Sequence, residues 1–169
     1  MNLRIHPFSL GRAVRRMKVV AVLWVLPLLA CCTNDTTTRS DKPLSRAVAL
    51  GQLHRALPAS AHDIYFLCFT GGMQSFEQYV RFDVDPGELD AAIDALVAEN
   101  NRMIKRSLEY PRLSLEKSPH VDARKEFLPM PWWNPSVVTK GYYRGENTVW
   151  ALQIIADTEH SRVYVREMD

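Results

Sequence analysis

From residue 44 onward the apolar positions fall into blocks with two different periods. Ala47, Val48, Leu50, Leu53 and Leu57 are spaced as on one side of a helix within residues 45–57, and Pro58 ends it. Residues 62–69 are almost continuously apolar or aromatic, which predicts a strand covered on both faces. In residues 76–84 the period is two: Phe76, Val80, Phe82 and Val84 share one side, and Glu77, Tyr79, Arg81 and Asp83 the other. That alternation predicts one buried face and one wet or partly covered face. Thr70-Gly71-Gly72-Met73 supplies a turn to pair the two strands.

Asp85-Pro86-Gly87-Glu88 reads as a helix start, with Asp85 as cap, Pro86 at the first helical position and Glu88 closing a capping box. Leu89, Ala92, Ile93, Leu96, Val97 and Met103 or Ile104 then form one apolar stripe. Asp90, Asp94, Glu99 and Arg102 point away from it, in a helix of about 16–18 residues. Residues 105–129 are polar and weakly patterned, as in a loop region with one short strand. The chain closes on strand patterns at 148–156, where Trp150, Leu152 and Ile154 share a face, and at 162–166. Residues 157–161 form the hairpin loop between them. The expected fold is α+β: an antiparallel sheet of about four to five strands with one main amphipathic helix on one face, plus a short N-terminal helix.

The first thirty residues belong to a different pattern. Arg4, Arg12, Arg15, Arg16 and Lys18 precede an unbroken apolar run from Val19 to Ala30, and no acidic residue occurs among them. A basic stretch, a short apolar core and a small final residue make a secretory signal. As a helix the run would rise only about 18 Å, too short for a hydrocarbon core of roughly 30 Å. Pro27 and the polar stretch after Cys32 also argue against a membrane span.

Leu28-Leu29-Ala30-Cys31 resembles the lipobox of bacterial lipoproteins: Leu three positions before the cut, a small residue just before it, then Cys. The resemblance implies cleavage before Cys31, diacylglycerol on its thiol and often a further acyl chain on the new N-terminus. Two or three chains suffice for stable anchoring, where one does not. Cys32 is a poorer cleavage site, because Cys31 would then stand where a small residue belongs. Met17-Lys18 offers an alternative start with the same mature product. The position after Cys31 is not Asp, which by resemblance to enterobacterial sorting points to the outer membrane, facing the periplasm. The layout of Trp132-Trp133-Asn134-Pro135 ahead of a terminal hairpin is similar to that of uncharacterised small bacterial lipoproteins, and this similarity implies no activity.

Cleavage would divide the chain into a signal at 1–30, a lipidated tether at 31–43 and a single domain at 44–169. Residues 33–43 hold no apolar side chain beyond threonine methyls, so a flexible spacer is expected there. Removing the signal also changes the charge. The full chain carries 21 Lys and Arg against 19 Asp and Glu; subtracting the five early basic residues leaves 16 against 19, or −3. Nucleic-acid binding therefore has no compositional support. Lipid rather than basic charge would hold the protein to a membrane.

Candidate chemistry is sparse. Cys68 lies in an apolar strand pattern and reads as a small buried residue, not a nucleophile. Gly71-Gly72 lacks the Lys and Ser or Thr of a phosphate loop. Asp90 and Asp94 read as a solvated helix face rather than a metal site. His54, His62, His120 and His160 form no zinc or hydrolase motif, although His120 is near Asp122 and His160 near Asp157. No cofactor is expected, and catalysis is not. Trp132 and Trp133 between prolines, with Tyr142 and Tyr143, are the candidate partner-binding residues if exposed; otherwise they seal one end of the core. The functional expectation is a protein-binding module in the cell envelope. The alternatives are an assembly or structural accessory and an immunity protein against a toxin, with a small hydrolase further behind.

Overall fold

The computed structural model describes residues 35–53, 55–71, 75–118, 123–145 and 152–168. The signal segment, Cys31, Cys32, His54, Gly72, Met73, His120 to Asp122 and Trp150 lie outside the described residues. Asp35–Asp169 forms one compact unit. Its elements are β1 (Thr36–Arg39), α1 (Arg46–Leu50), β2 (His62–Thr70), β3 (Phe76–Asp83), α2 (Leu89–Ile104), β4 (Gly141–Gly145), β5 (Leu152–Asp157) and β6 (Arg162–Met168), with short 3₁₀ turns between α2 and β4. The class is α+β as expected, but the antiparallel sheet has six strands, in the order β1-β2-β3-β6-β5-β4.

The two strands beyond expectation are the two edges. β1 comes from the stretch expected to be a flexible tether. Thr36 to Arg39 pair with Thr70 to Leu67, Ser40 exchanges hydrogen bonds with Phe66, and Leu44 bridges Ile64. An edge strand needs backbone partners more than apolar side chains, and β-branched threonines suit the pleat. β4 is Gly-Tyr-Tyr-Arg-Gly, and a Cβ at Gly141 would lie 1.8 Å from the carbonyl oxygen of Ala156 on β5. Glycine there permits the close approach of the two strands.

Each sheet face has its own core. On one face Ile64, Phe66, Val80, Phe82, Ile154 and Val163 meet Leu89, Ala92, Ile93, Leu96 and Val97 of α2. On the other, Leu67, Tyr79, Ile155 and Tyr164 meet Phe127, Met130, Trp132 and Trp133. The second face is thus closed by an irregular, aromatic lid rather than left wet. β2 is covered on both sides, as its continuous apolar run predicts. On β3 the second face is the partly covered one of the two expected alternatives: Glu77 and Tyr79 are buried under the lid, while Arg81 and Asp83 are half-buried.

Local corrections follow from hydrogen bonding. At Asp85-Pro86-Gly87-Glu88 the Glu88 N–H donates to the Asp85 carbonyl at 3.0 Å and Gly87 has φ +90°. That is a turn with proline at its second position and a positive-φ glycine at its third, so α2 begins at Leu89 without a side-chain cap. α1 stops at Leu50; the segment beyond folds back, and Arg46 donates to the carbonyls of Leu57 and Pro58. Among the described residues of 105–129, where one short strand is expected, the β pairing is a single bridge, Leu113 to Tyr143. The last hairpin turns through Thr158 to Ser161, with Asp157 ending β5 opposite Arg162.

Candidate functional site

The four aromatic residues singled out in the sequence do not form a surface. Trp132, Trp133, Tyr142 and Tyr143 are only 5%, 7%, 5% and 2% exposed. Adjacent positions on β4 point to opposite faces, so Tyr142 joins the helix-side core and Tyr143 the lid-side core. The tryptophans cover a sheet face rather than one end of the core. Trp133 stands edge-on to Tyr79, Trp132 and Tyr164 at centroid distances of 4.9, 6.0 and 5.6 Å, and Trp132 stacks on Tyr65 at 5.7 Å.

A buried polar network pins this lid to the sheet. The Tyr79 hydroxyl donates to Glu77 Oε1 at 2.5 Å, and Arg166 Nε donates to the same oxygen at 2.9 Å. Arg124, at the start of the lid, brings its Nε within 2.5 Å of Glu77 Oε2, and its backbone N–H donates to the Tyr79 hydroxyl at 3.3 Å. Two guanidiniums and a phenol thus hold a carboxylate with 1% side-chain exposure. Nothing in the sequence flagged Glu77, because alternation reads a charged strand position as solvent-facing.

A second network fixes the other edge. Tyr142 donates to Asp90 and Arg144 pairs with Asp94, both on α2, while Arg112 lies 3.6 Å over the Tyr142 ring. Leu113 exchanges two backbone hydrogen bonds with Tyr143, covering the outer edge of β4. Asp90 and Asp94 are exposed, as expected of a solvated helix face, and from there they also reach Tyr142 and Arg144 on β4. Burial, and after it the hydrogen bond to Asp90, push the Tyr142 phenol well above its ordinary value. Burial and Glu77 do the same to Tyr79.

These shifts predict a direction of pH dependence. In the unfolded chain a phenol ionises near pH 10, while the folded forms of Tyr79 and Tyr142 hold their protons longer. Their contribution is complete below about pH 10 and is lost as the pH rises further. Folded protein should therefore show less phenolate absorbance above pH 10 than its six tyrosines require, until unfolding sets in. Tyr142→Phe should flatten part of the alkaline loss of stability; an ordinary titration of all tyrosines without loss of circular dichroism would contradict this.

No family model matches the chain, and no curated protein or solved structure does either. Among the described residues, no group of three or more His, Cys, Asp or Glu stands ready for a metal, and no helix is long and apolar enough to cross a membrane. Cys68 is buried, and burial raises its thiol pKa. The carboxylate beside His160 is structural: Asp157 accepts from the backbone N–H groups of Glu159 and His160 and lies 2.8 Å from His160 Nδ1, shaping the β5–β6 turn.

β1 is the open edge. No described strand pairs with its outer side. Beside it lies a groove of about 390 Å³, lined by Asp35, Thr37, Arg39, Leu67, Phe69, Phe127 and Leu128. Leu128 is 54% exposed there. Apolar walls and a backbone edge that no described strand covers make this surface suited to an extended polypeptide.

Proposed function

We propose that this chain is a lipid-anchored protein of the bacterial cell envelope that binds a polypeptide partner through the β1 edge, and is not an enzyme. The observation that carries the reading is the place of that open edge in the chain. Thr36 follows Cys31 by five residues, at most about 17 Å of extended backbone. A protein anchored at Cys31 would hold the edge and its groove close to the membrane surface, where a neighbouring envelope protein is met. The lipobox-like Leu28-Leu29-Ala30-Cys31 supports the anchor, and the net charge of −3 after cleavage supports lipid over electrostatic attachment. The position after Cys31 supports the outer membrane as destination.

Labelling cells with a radioactive fatty acid tests the anchor. The wild type and Cys32→Ser should carry label and sediment with membranes; Cys31→Ser should lose the label and keep its signal segment. Label retained in Cys31→Ser, or an unlabelled soluble wild type, would overturn the anchoring.

A further inference from the structure

We propose that residues 55–61 form a latch over the helix-side core that opens as a unit while the sheet stays folded, with Arg55 as its release point. This inference rests on neither the lipid nor the β1 edge.

The stretch lies between α1 and β2 and has no helix or strand of its own. The hydrogen bonds described between it and the rest of the domain come from side chains. Arg46 Nε donates to the Pro58 carbonyl at 2.8 Å, and Arg46 Nη2 to that of Leu57 at 2.9 Å. Arg55 Nε donates to Glu167 Oε2 on β6 at 3.0 Å. Among the described residues, the one backbone hydrogen bond of the stretch is internal, from the Ala61 N–H to the Pro58 carbonyl. The stretch can therefore swing away without breaking a rung of the sheet ladder. Where it runs into β2 the pairing is irregular: Asp63 has φ +48°, and the register with β3 shifts between His62 and Tyr65. Such a bulge weakens the ladder locally, which suits a pivot.

Apolar burial holds the latch down, since Leu57 and Ala61 are buried in the helix-side core. Arg55 works against it. Its side chain is 1% exposed, yet Nη1 and Nη2 are buried and meet no hydrogen-bond acceptor among the described residues. One nitrogen of three is paired, so the guanidinium carries a desolvation cost that the single bond to Glu167 offsets only in part. Opening returns the other donors to water. The latch is thus closed by packing against a penalty stored in one side chain, and it is the part of this core whose release costs least.

The sheet register supplies a reporter. Cys68 pairs with Gln78, and Gln78 with Glu167, so the three stand in one line on the helix side. Cys68 belongs to the same core cluster as Leu57 and Ala61. Burial, and in smaller part the Glu167 charge, raise its thiol pKa. A thiol reagent should reach Cys68 when the latch is open.

The test treats the full-length protein with a thiol reagent under native conditions and reads the label on Cys68 by peptide mass mapping, which keeps Cys31 and Cys32 apart from it. Cys68 should react slowly below the denaturant transition, in proportion to reagent and to the open fraction. Glu167→Gln removes the counter-charge of Arg55 and should speed labelling about tenfold. Arg55→Met together with Glu167→Gln replaces the ion pair by neutral groups and should slow it about tenfold. Arg124→Ala, on the opposite sheet face, should leave the rate unchanged, whereas a route through global unfolding would make it about fivefold faster. A rate that rises in Arg124→Ala, a rate indifferent to Arg55 and Glu167, or a Cys68 that reacts only as whole molecules unfold would overturn the latch.

Discussion

Glu77→Gln should cost about 3 kcal/mol of stability, the lower end of what is lost when one member of a buried ion pair is removed. The carboxylate is 1% exposed and faces two guanidiniums, so a neutral amide leaves Arg166 short of its counter-charge in a protected site. Arg124 moderates the loss, since its side chain is 45% exposed and can turn to water. For the same reason Arg124→Ala should cost only about 1 kcal/mol, in the range of exposed pairs. Denaturant midpoints measure both. The lid should respond first in Glu77→Gln, with tryptophan emission shifting to the red below the global transition. Equal losses in the two variants would show that Glu77 does not organise the network.

That network also shows where sequence and structure part. β2, β3, α2, β5 and β6 were legible because burial imposed a period on their side chains. Leu89, Ala92, Ile93, Leu96 and Val97 announce a helix face whatever covers it. Edge strands lack that imprint. Thr-Thr-Thr-Arg has no apolar residue and all four positions are exposed, yet its ladder to β2 is a property of the backbone. β4 is framed by glycines that read as turn residues, although they serve a close approach to β5. The lid had an aromatic signature but no period, so its size was visible and its target was not. Glu77 was illegible for another reason: Arg166 is 89 positions away, and pairing over that distance leaves no local trace.

The same contrast bears on where a partner is met. Aromatic residues at Trp132, Trp133, Tyr142 and Tyr143 suggested an adhesive surface, because such side chains are enriched at interfaces. The fold spends all four on its own two cores. What no described strand covers is a short polar strand that begins five residues after Cys31 in the sequence. Recognition there would depend on backbone pairing, a feature that composition does not reveal. One edge is shielded by Leu113, while no described strand pairs with the outer side of the other. That asymmetry, more than any side-chain type, distinguishes the proposed binding edge.

Trp133→Ala should be among the most damaging single changes, at about 3–5 kcal/mol, the range for truncating a large aromatic side chain in a core. Three rings meet Trp133 edge-on, one from β3, one from β6 and one from the lid. Its loss would open a cavity that a sheet cannot collapse to fill, because strand spacing is fixed by backbone hydrogen bonds. Against a total stability of about 5–15 kcal/mol, the variant would sit near the limit of folding. Trp132→Phe offers a calibrated contrast. The indole N–H of Trp132 is buried and meets no hydrogen-bond acceptor among the described residues, so it contributes a desolvation penalty without a bond. Phenylalanine removes that donor and keeps a ring to stack on Tyr65, so the net loss should stay below about 1.5 kcal/mol. Thermal or denaturant unfolding of the two variants decides the matter. A Trp133→Ala variant as stable as Trp132→Phe would mean that the lid rests on the sheet without being part of its core.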